Sequence, residues 1–200
     1  MNYLNREERR EAILKTAMQV ALSGGFNAMT VRNIASVAGV SSGQVHHHFT
    51  SIGELKSLAF VRLIREMLDM PLVADDASWH DRLFSMLGSD DGRLEPYIRL
   101  WREAQLLADS DSEIKGAYLL TMDMWHKETV SLILQGTEAN EFRPIDSAEN
   151  IAWRLIALVC GLDGIYALGM AEISDEIFTR YIQHYITLEL KPTQFTFSNN

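Results

Sequence analysis

The chain has 200 residues, of which 47% are hydrophobic and 22% are charged, so it is not a disordered chain and can bury a sizeable core. Its single cysteine excludes an internal disulfide framework and any multi-cysteine metal site. Residues 1–65 carry eight basic and four acidic side chains, whereas residues 66–200 carry ten basic and 23 acidic side chains. The net charge of −9 is therefore unevenly distributed, and the basic N-terminal segment is of the kind that binds polyanions.

Five segments match the capping box, in which a short oxygen-bearing side chain precedes Glu or Gln by three residues and satisfies free N–H groups at a helix start. They are Asn5–Glu8, Ser41–Gln44, Ser51–Glu54, Ser110–Glu113 and Asp146–Glu149. Each is followed by apolar residues at helical spacing. In the first helix these are Ile13, Ala17, Val20 and Ala21, and we expect that helix to end at Ser23-Gly24-Gly25.

These signals predict helices over residues 5–23, 30–38, 41–48, 51–69, 78–87, 93–108, 111–135, 147–169 and 174–190. No segment alternates polar and apolar residues as a strand does. We therefore predict an all-α fold of about nine helices. The longest apolar stretch, residues 151–170, contains Arg154, Asp163 and three glycines, which favours a buried or interfacial helix over a membrane span.

Residues 30–49 read TVRNIASVAGVSSGQVHHHF. Two short helices meet at Gly39, which can adopt the positive φ of a tight turn. Apolar residues recur at helical spacing on the first helix, at Val31, Ile34, Ala35 and Val37/Ala38. The pattern predicts a helix-turn-helix whose second helix enters the DNA major groove, although ordinary packing of a short helical pair has the same spacing.

On the second helix, Val45 and Phe49 are expected to point toward the core, with His48 beside them. The outward face then presents Ser42, Gly43, His46 and His47, with Gln44 at its flank. Ser41 at the helix start can meet a phosphate, Gln44 can contact adenine, and Arg32 can contact guanine. The serine, threonine and histidine side chains are better suited to phosphate contacts that fix the register on DNA.

Two other readings of this segment fail on geometry. Consecutive helical residues diverge by about 100°, so the run His46–His48 cannot converge on one metal ion, and we expect no metal site. Residues 39–43 match the G-x-S-x-G nucleophile elbow, but that motif requires a preceding strand, whereas a helix precedes it here.

Residues 5–60 resemble the DNA-binding domain of the TetR family of bacterial repressors. The shared residues are Gly25-Phe26, Thr30, Ile34-Ala35, Ala38-Gly39-Val40-Ser41, Gly43, His47-His48-Phe49, Ser51 and Glu54-Leu55. The resemblance implies operator contacts from Thr30, Arg32, Ser42, Gln44, His46 and His47. It also implies a DNA-binding domain over residues 1–50 and an effector-binding and dimerisation domain over residues 51–200.

Three residues depart from the family pattern. His46 stands where Tyr is common, Ser42 where a basic residue is frequent, and Ile52 where a phosphate-binding Lys is usual. The missing lysine removes the usual backbone clamp, and Lys56, one turn further on, could replace it. With Ser41 and Gly43, Lys56 completes the predicted DNA-binding set.

The C-terminal half is similar to the choline-responsive BetI-type branch of the family. This similarity implies that the last two helices pair with their copies in a second subunit. Small and apolar residues suited to close approach are Ala157, Leu158, Gly161, Gly164, Ile165, Ala167 and Leu168, followed by Tyr181 and Tyr185. The same stripe could instead be the core of a monomer. A two-fold symmetric operator needs two DNA-binding domains, which favours the dimer.

An effector pocket is expected among the middle helices, where aromatic and methionine side chains are dense. The candidates are Met86, Tyr97, Trp101, Tyr118, Met122 and Trp125, although such stripes also form cores. Asp163 lies among apolar neighbours, and a carboxylate with aromatic faces suits a cationic ligand.

Taken together, these features predict a homodimeric repressor that a small molecule releases from a palindromic DNA operator. The alternative is an architectural or nucleoid-associated DNA-binding protein without an effector. No phosphate loop, dinucleotide fingerprint or nucleophile constellation is found, so we expect neither an enzyme nor a cofactor. The polar first ten residues and the lone thiol predict a cytoplasmic protein without membrane association.

Overall fold

The structure, a computed structural model, describes residues 5–88, 92–170 and 172–192, and within these ranges the chain forms only α-helices, nine in number. They are α1 (Arg6–Ala28), α2 (Val31–Ala38), α3 (Ser42–His48), α4 (Ile52–Leu68), α5 (Trp79–Gly88), α6 (Glu95–Leu107), α7 (Ser112–Glu138), α8 (Ala148–Tyr166) and α9 (Asp175–Leu190). The predicted all-α fold is confirmed. Among the helices in these ranges, none is long and apolar enough to cross a membrane.

Two of the predicted capping boxes form completely. At α1, Asn5 Oδ1 accepts from the Glu8 N–H (2.9 Å) and the Glu8 carboxylate accepts from the Asn5 N–H (2.7 Å). The Ser41–Gln44 box at α3 is built in the same way. At α4 only half of the box forms, because Ser51 caps the Glu54 N–H while the Glu54 carboxylate accepts from the Thr50 N–H and hydroxyl.

The two remaining capping boxes were predicted one residue too early in the chain. Asp111, not Ser110, caps α7, because its Oδ1 accepts from the N–H groups of residues 113 and 114. Ser147, not Asp146, caps α8. In both places two adjacent side chains carry a suitable oxygen, and local spacing cannot choose between them. The Glu113 carboxylate, freed from the predicted box, accepts from the Ser51 hydroxyl at 3.1 Å.

The first compact unit consists of residues up to Asp69 and Gly92–Asp123. Its core confirms the apolar stripe predicted for α1, since Ile13, Ala17, Val20 and Ala21 are all buried. A row of aromatic rings crosses the unit from α1 through α4 and α6 to α7. Neighbouring ring centroids lie 5.7, 6.2 and 5.6 Å apart along the row Phe26, Phe60, Trp101, Tyr118.

Helix α1 contains a break at Gly25, where φ is +69° and ψ is −173°. The prediction that α1 ends there is therefore incomplete, because helical structure resumes and continues to Ala28. Two side chains of α6 bind the main chain on either side of the break. Glu103 accepts from the Phe26 N–H at 2.8 Å, and Arg99 donates to the Leu22 carbonyl at 2.5 Å.

The second compact unit consists of residues 70–91 and the chain from Met124 onward. Arg154 of α8 binds Glu189 of α9, because its guanidinium donates to both carboxylate oxygens of Glu189 at 2.7 Å. It also donates to Asp146 at 2.8 Å, and this bond lowers the pKa of that carboxyl. The segment before α8 is bound to the end of α9 by backbone hydrogen bonds from Arg143 and Ile145.

Candidate nucleic-acid interface

Helices α2 and α3 form the predicted helix-turn-helix. Thr30 caps α2 by accepting from the Asn33 N–H at 3.1 Å. Gly39 ends α2 in the left-handed conformation, with φ +65° and ψ +32°, as the sequence predicted. The buried side chains Ile34, Ala35, Val45 and Phe49 provide the apolar surface that holds the two short helices in place.

One member of the predicted apolar stripe on α2 does not belong to this core. Val37 is 58% exposed, whereas Ala38, the other residue predicted for this place in the stripe, is half-buried. On this eight-residue helix Ile34 and Ala35 are the buried residues, and Val37 lies about 200° around the helix from Ala35.

The outward face of α3 carries the side chains that the sequence assigned to it. Ser42, Gly43, His46 and His47 are exposed, whereas Gln44 is half-buried. The Gln44 Oε1 accepts from the Ser41 N–H at 3.1 Å, so the amide proposed to contact adenine is also the second half of the helix cap. Of the remaining predicted contacts, Thr30 and Arg32 are exposed on α2, and Lys56 is half-buried on α4.

An open concavity of about 400 Å³ lies between the start of α1 and α3. It is lined by Arg6, Arg9, Ser41, Gly43, Gln44, His47 and His48. The two arginines were absent from the predicted contacts, because the position of α1 beside α3 depends on tertiary packing. The available signal was their spacing, since residues three apart share one helix face.

Cationic side chains surround His48 in this concavity. Desolvation by burial lowers the pKa of His48, and the nearby charges of His47, Arg6, Arg9 and Arg10 lower it further. Both effects disfavour adding a proton, because burial and like charge each raise the cost of the imidazolium form.

The sequence profile of the family described as "Bacterial regulatory proteins, tetR family" matches residues 13–56. The transcriptional repressor KstR2 of Mycobacterium tuberculosis is 30% identical over 160 residues, which cover 74% of this chain and 76% of the relative. The chain belongs to the TetR family. The family resemblance seen in the sequence is thereby confirmed, and members of this family are DNA-binding transcriptional regulators.

Two further comparisons extend over nearly the whole TetR-family chain. The regulator BetI of Rhizobium meliloti is 26% identical over 188 residues, or 92% of this chain and 90% of the relative. A solved structure of a putative transcriptional regulator from Saccharomonospora viridis in complex with choline has a TM-score of 0.70 and 22% identity. It covers 94% of this chain and all of that chain, and this likeness shows the fold.

The residues predicted to bind an effector are divided between the two compact units. Tyr97, Trp101, Tyr118 and Met122 belong to the first, and Met86, Trp125 and Asp163 belong to the second. All seven are half-buried. In the first unit the Trp101 Nε1–H donates to the Tyr118 hydroxyl at 3.1 Å, which joins two of the candidates directly. Burial raises the pKa of the Tyr97 phenol, and the Glu66 carboxylate adds to this effect.

The residues predicted for dimerisation lie mostly on the surface of α8 and α9. Ile165, Tyr181 and Tyr185 are 39%, 38% and 44% exposed. Leu168, just after α8, is 76% exposed, and Ala157, Gly161 and Gly164 are exposed as well, whereas Leu158 is half-buried. A Cβ atom added at either glycine would meet no atom within 4 Å, so this part of α8 is open.

A first prediction concerns Glu54, whose pKa is lowered mainly by the hydrogen bond from the Thr50 hydroxyl. A carboxylate whose pKa is lowered by folding stabilises the fold at pH values above its unfolded pKa, which is about 4.3 for glutamate. This contribution disappears as the pH falls through the folded-state pKa. Glu54→Gln should therefore lower stability by about 1–2 kcal/mol at pH 7, and its difference from wild type should shrink at acidic pH.

Thermal unfolding at pH 7 and at about pH 3, near the acid end of the carboxyl range, measures both differences. Glu7→Gln is the matched control, since Glu7 is an exposed carboxylate on α1, whereas Glu54 is on α4. A Glu54→Gln penalty that is equal at the two pH values would contradict the prediction.

Proposed function

We propose that this TetR-family protein is a homodimeric repressor that binds a palindromic DNA operator and is released by a small-molecule effector. The observation that supports operator binding most directly is α3, where Val45 and Phe49 are buried while the opposite face is polar and exposed. In helix-turn-helix proteins such a helix enters the major groove. Residues 1–50 would bind DNA, and residues 51–200 would bind the effector and form the dimer.

The exposed apolar surface of α8 and α9 supports the dimer. Monomeric proteins rarely leave a contiguous apolar patch in water, whereas a two-fold interface buries the same patch on both subunits. The open space at Gly161 and Gly164 would let a partner helix approach the main chain closely. Two copies of α3 set about 34–36 Å apart would then meet successive turns of the major groove.

The effector proposal rests on Trp125 and Asp163 of the second unit and, separately, on the half-buried aromatic residues of the first unit. Aromatic faces attract cations, and a carboxylate attracts them through its negative charge. The similar regulator from Saccharomonospora viridis was solved with choline, a cationic ligand, which supports the same class of effector here. Effector binding would change the separation of the two copies of α3 and so release the operator.

Repression is the direction of control that we propose, because the relative KstR2 is a transcriptional repressor. The test begins with genomic fragments captured by the purified protein, from which a palindromic site is derived. Binding to that site must weaken with rising salt and exceed binding to a scrambled sequence. A choline-type cation should then raise the melting temperature and release the fragment. If no ligand does so while DNA binding persists, the protein acts as an architectural DNA-binding protein.

A second prediction concerns Arg32, an exposed arginine on α2 that we assign to guanine. Arg32→Gln should weaken operator binding by about 1–3 kcal/mol, or roughly five- to 150-fold, and relax the preference at one base pair. Arg143→Gln removes the same charge from an exposed site in the second unit and should leave binding unchanged. Fluorescence anisotropy with a labelled operator measures both variants, and equal losses would contradict a base contact.

A further inference from the structure

The concavity between α1 and α3 carries cations without a counter-charge. Arg6 and Arg9 enter it from α1, and His47 and His48 enter it from α3. Within the described part of the chain, neither arginine forms an ion pair with a carboxylate. Cations gathered at one surface raise the local concentration of anions, so the concavity favours a negatively charged group.

His48 provides a second, independent observation at this surface. Its Nδ1 atom is buried and has no hydrogen-bond partner in the described structure. Among the residues that the structure describes, the ring of His47 lies against the imidazole edge-on, with the two centroids 5.2 Å apart. A buried polar atom without a partner costs about 1–3 kcal/mol.

We infer that this concavity binds a backbone phosphate of the operator through Arg6 and Arg9, and that the bound phosphate causes His48 to take up a proton. The inference rests on the proposed function, because the phosphate belongs to operator DNA. It adds two phosphate contacts from α1 and a proton-linked step to the contacts assigned to α2 and α3.

The charges that face His48 determine whether DNA binding takes up or releases a proton. Arg6, Arg9 and Arg10 of α1 and His47 of α3 are all cationic or neutral, and Arg10 is itself paired with Glu54 at 3.5 Å. In the free protein these groups keep His48 neutral near pH 7. A phosphate placed among them offsets part of this positive charge, which raises the pKa of His48 and favours the imidazolium ion. Binding then takes up at most one proton, and affinity rises as the pH falls, by no more than about tenfold per pH unit.

The first experiment measures the dissociation constant of a captured operator fragment between about pH 8 and pH 6, a range that brackets the ordinary histidine pKa, at constant ionic strength. Wild type should bind more tightly at the lower pH, and His48→Gln should lose this dependence. Calorimetry in two buffers of different ionisation heat should detect the uptake of up to one proton by wild type and a smaller uptake by His48→Gln. His80→Gln, which alters a histidine of the second unit outside the proposed DNA contacts, should keep the dependence. If His48→Gln keeps the dependence, the inference is overturned.

The second experiment does not depend on the folding of a His48 variant. Arg6→Gln and Arg9→Gln should each reduce the slope of log K against log salt by about 1, without changing the preference for operator over scrambled DNA. Unchanged slopes in both variants would overturn the phosphate site while leaving operator recognition intact. Absence of any operator preference in wild type would instead overturn the proposed function.

Inorganic phosphate separates the two sources of the anion. A shift of the His48 ring proton in the NMR spectrum on adding inorganic phosphate at constant ionic strength supports a site that recognises phosphate itself. A shift that occurs only with operator DNA supports a site completed by the duplex. No shift with either ligand overturns the inference.

Discussion

Ile165→Glu is expected to convert the proposed dimer into a 22.7 kDa monomer and to weaken operator binding by about 10²- to 10⁴-fold. Ile165 lies on the exposed apolar surface of α8, near the open backbone at Gly161 and Gly164. In a two-fold interface each substitution appears twice, so the variant would bury two carboxylates without partners. A monomer has one DNA-binding domain, so it loses the gain in effective concentration that two linked DNA-binding domains provide.

Sedimentation equilibrium and operator binding test the two parts of this prediction separately. Leu134→Glu is the matched control, because Leu134 is 55% exposed on α7 and lies outside the proposed interface. It should remain dimeric and bind normally. A dimeric Ile165→Glu protein, or a monomer that binds the operator with wild-type affinity, would contradict the proposed assembly.

Gly25→Ala is expected to lower the free energy of unfolding by about 3–5 kcal/mol. With φ at +69° and ψ at −173°, Gly25 occupies a backbone region that is essentially restricted to glycine. An added Cβ atom would also clash with both carboxylate oxygens of Glu103. The carboxylate would have to move away, and the buried Phe26 N–H would lose its acceptor.

Urea denaturation followed by circular dichroism measures this cost. Gly39→Ala is the control, since Gly39 also has a positive φ but has open space around it, and we expect a penalty of about 1–2 kcal/mol there. The double variant with Glu103→Ala removes the clash at Gly25 and should recover only part of the loss, because the backbone strain remains. Equal penalties at the two glycines would show that Glu103 contributes nothing.

Local sequence patterns predicted the helices of this fold and the helix-turn-helix well. Capping residues act over three positions and apolar spacing over one or two turns, so both are readable without tertiary structure. Gly39 was predictable for the same reason, because a short turn between two helices demands a positive φ. The pattern failed where two capping residues are adjacent, as at Ser110 and Asp111, since spacing alone does not rank neighbouring oxygens.

Contacts between distant segments could not be predicted in the same way. Glu103 and Phe26 are 77 positions apart, and nothing local marks either as a partner of the other. Arg6 and Arg9 contributed to the basic N-terminal segment, but their position beside His48 depends on how α1 packs. Gln44 shows a different limit: one amide fitted two predicted roles, the helix cap and the adenine contact, and the structure shows that it forms the cap.

The break in α1 also couples two helices mechanically. Leu22 and Phe26 each have a main-chain group that binds a charged side chain of α6, the carbonyl to Arg99 and the N–H to Glu103. If α6 slid along α1, it would strip hydrogen bonds from both groups at once, at a cost of about 1–3 kcal/mol for each group left buried. Small displacements of α6 therefore carry the C-terminal part of α1 with them through direct hydrogen bonds, without passing through α4.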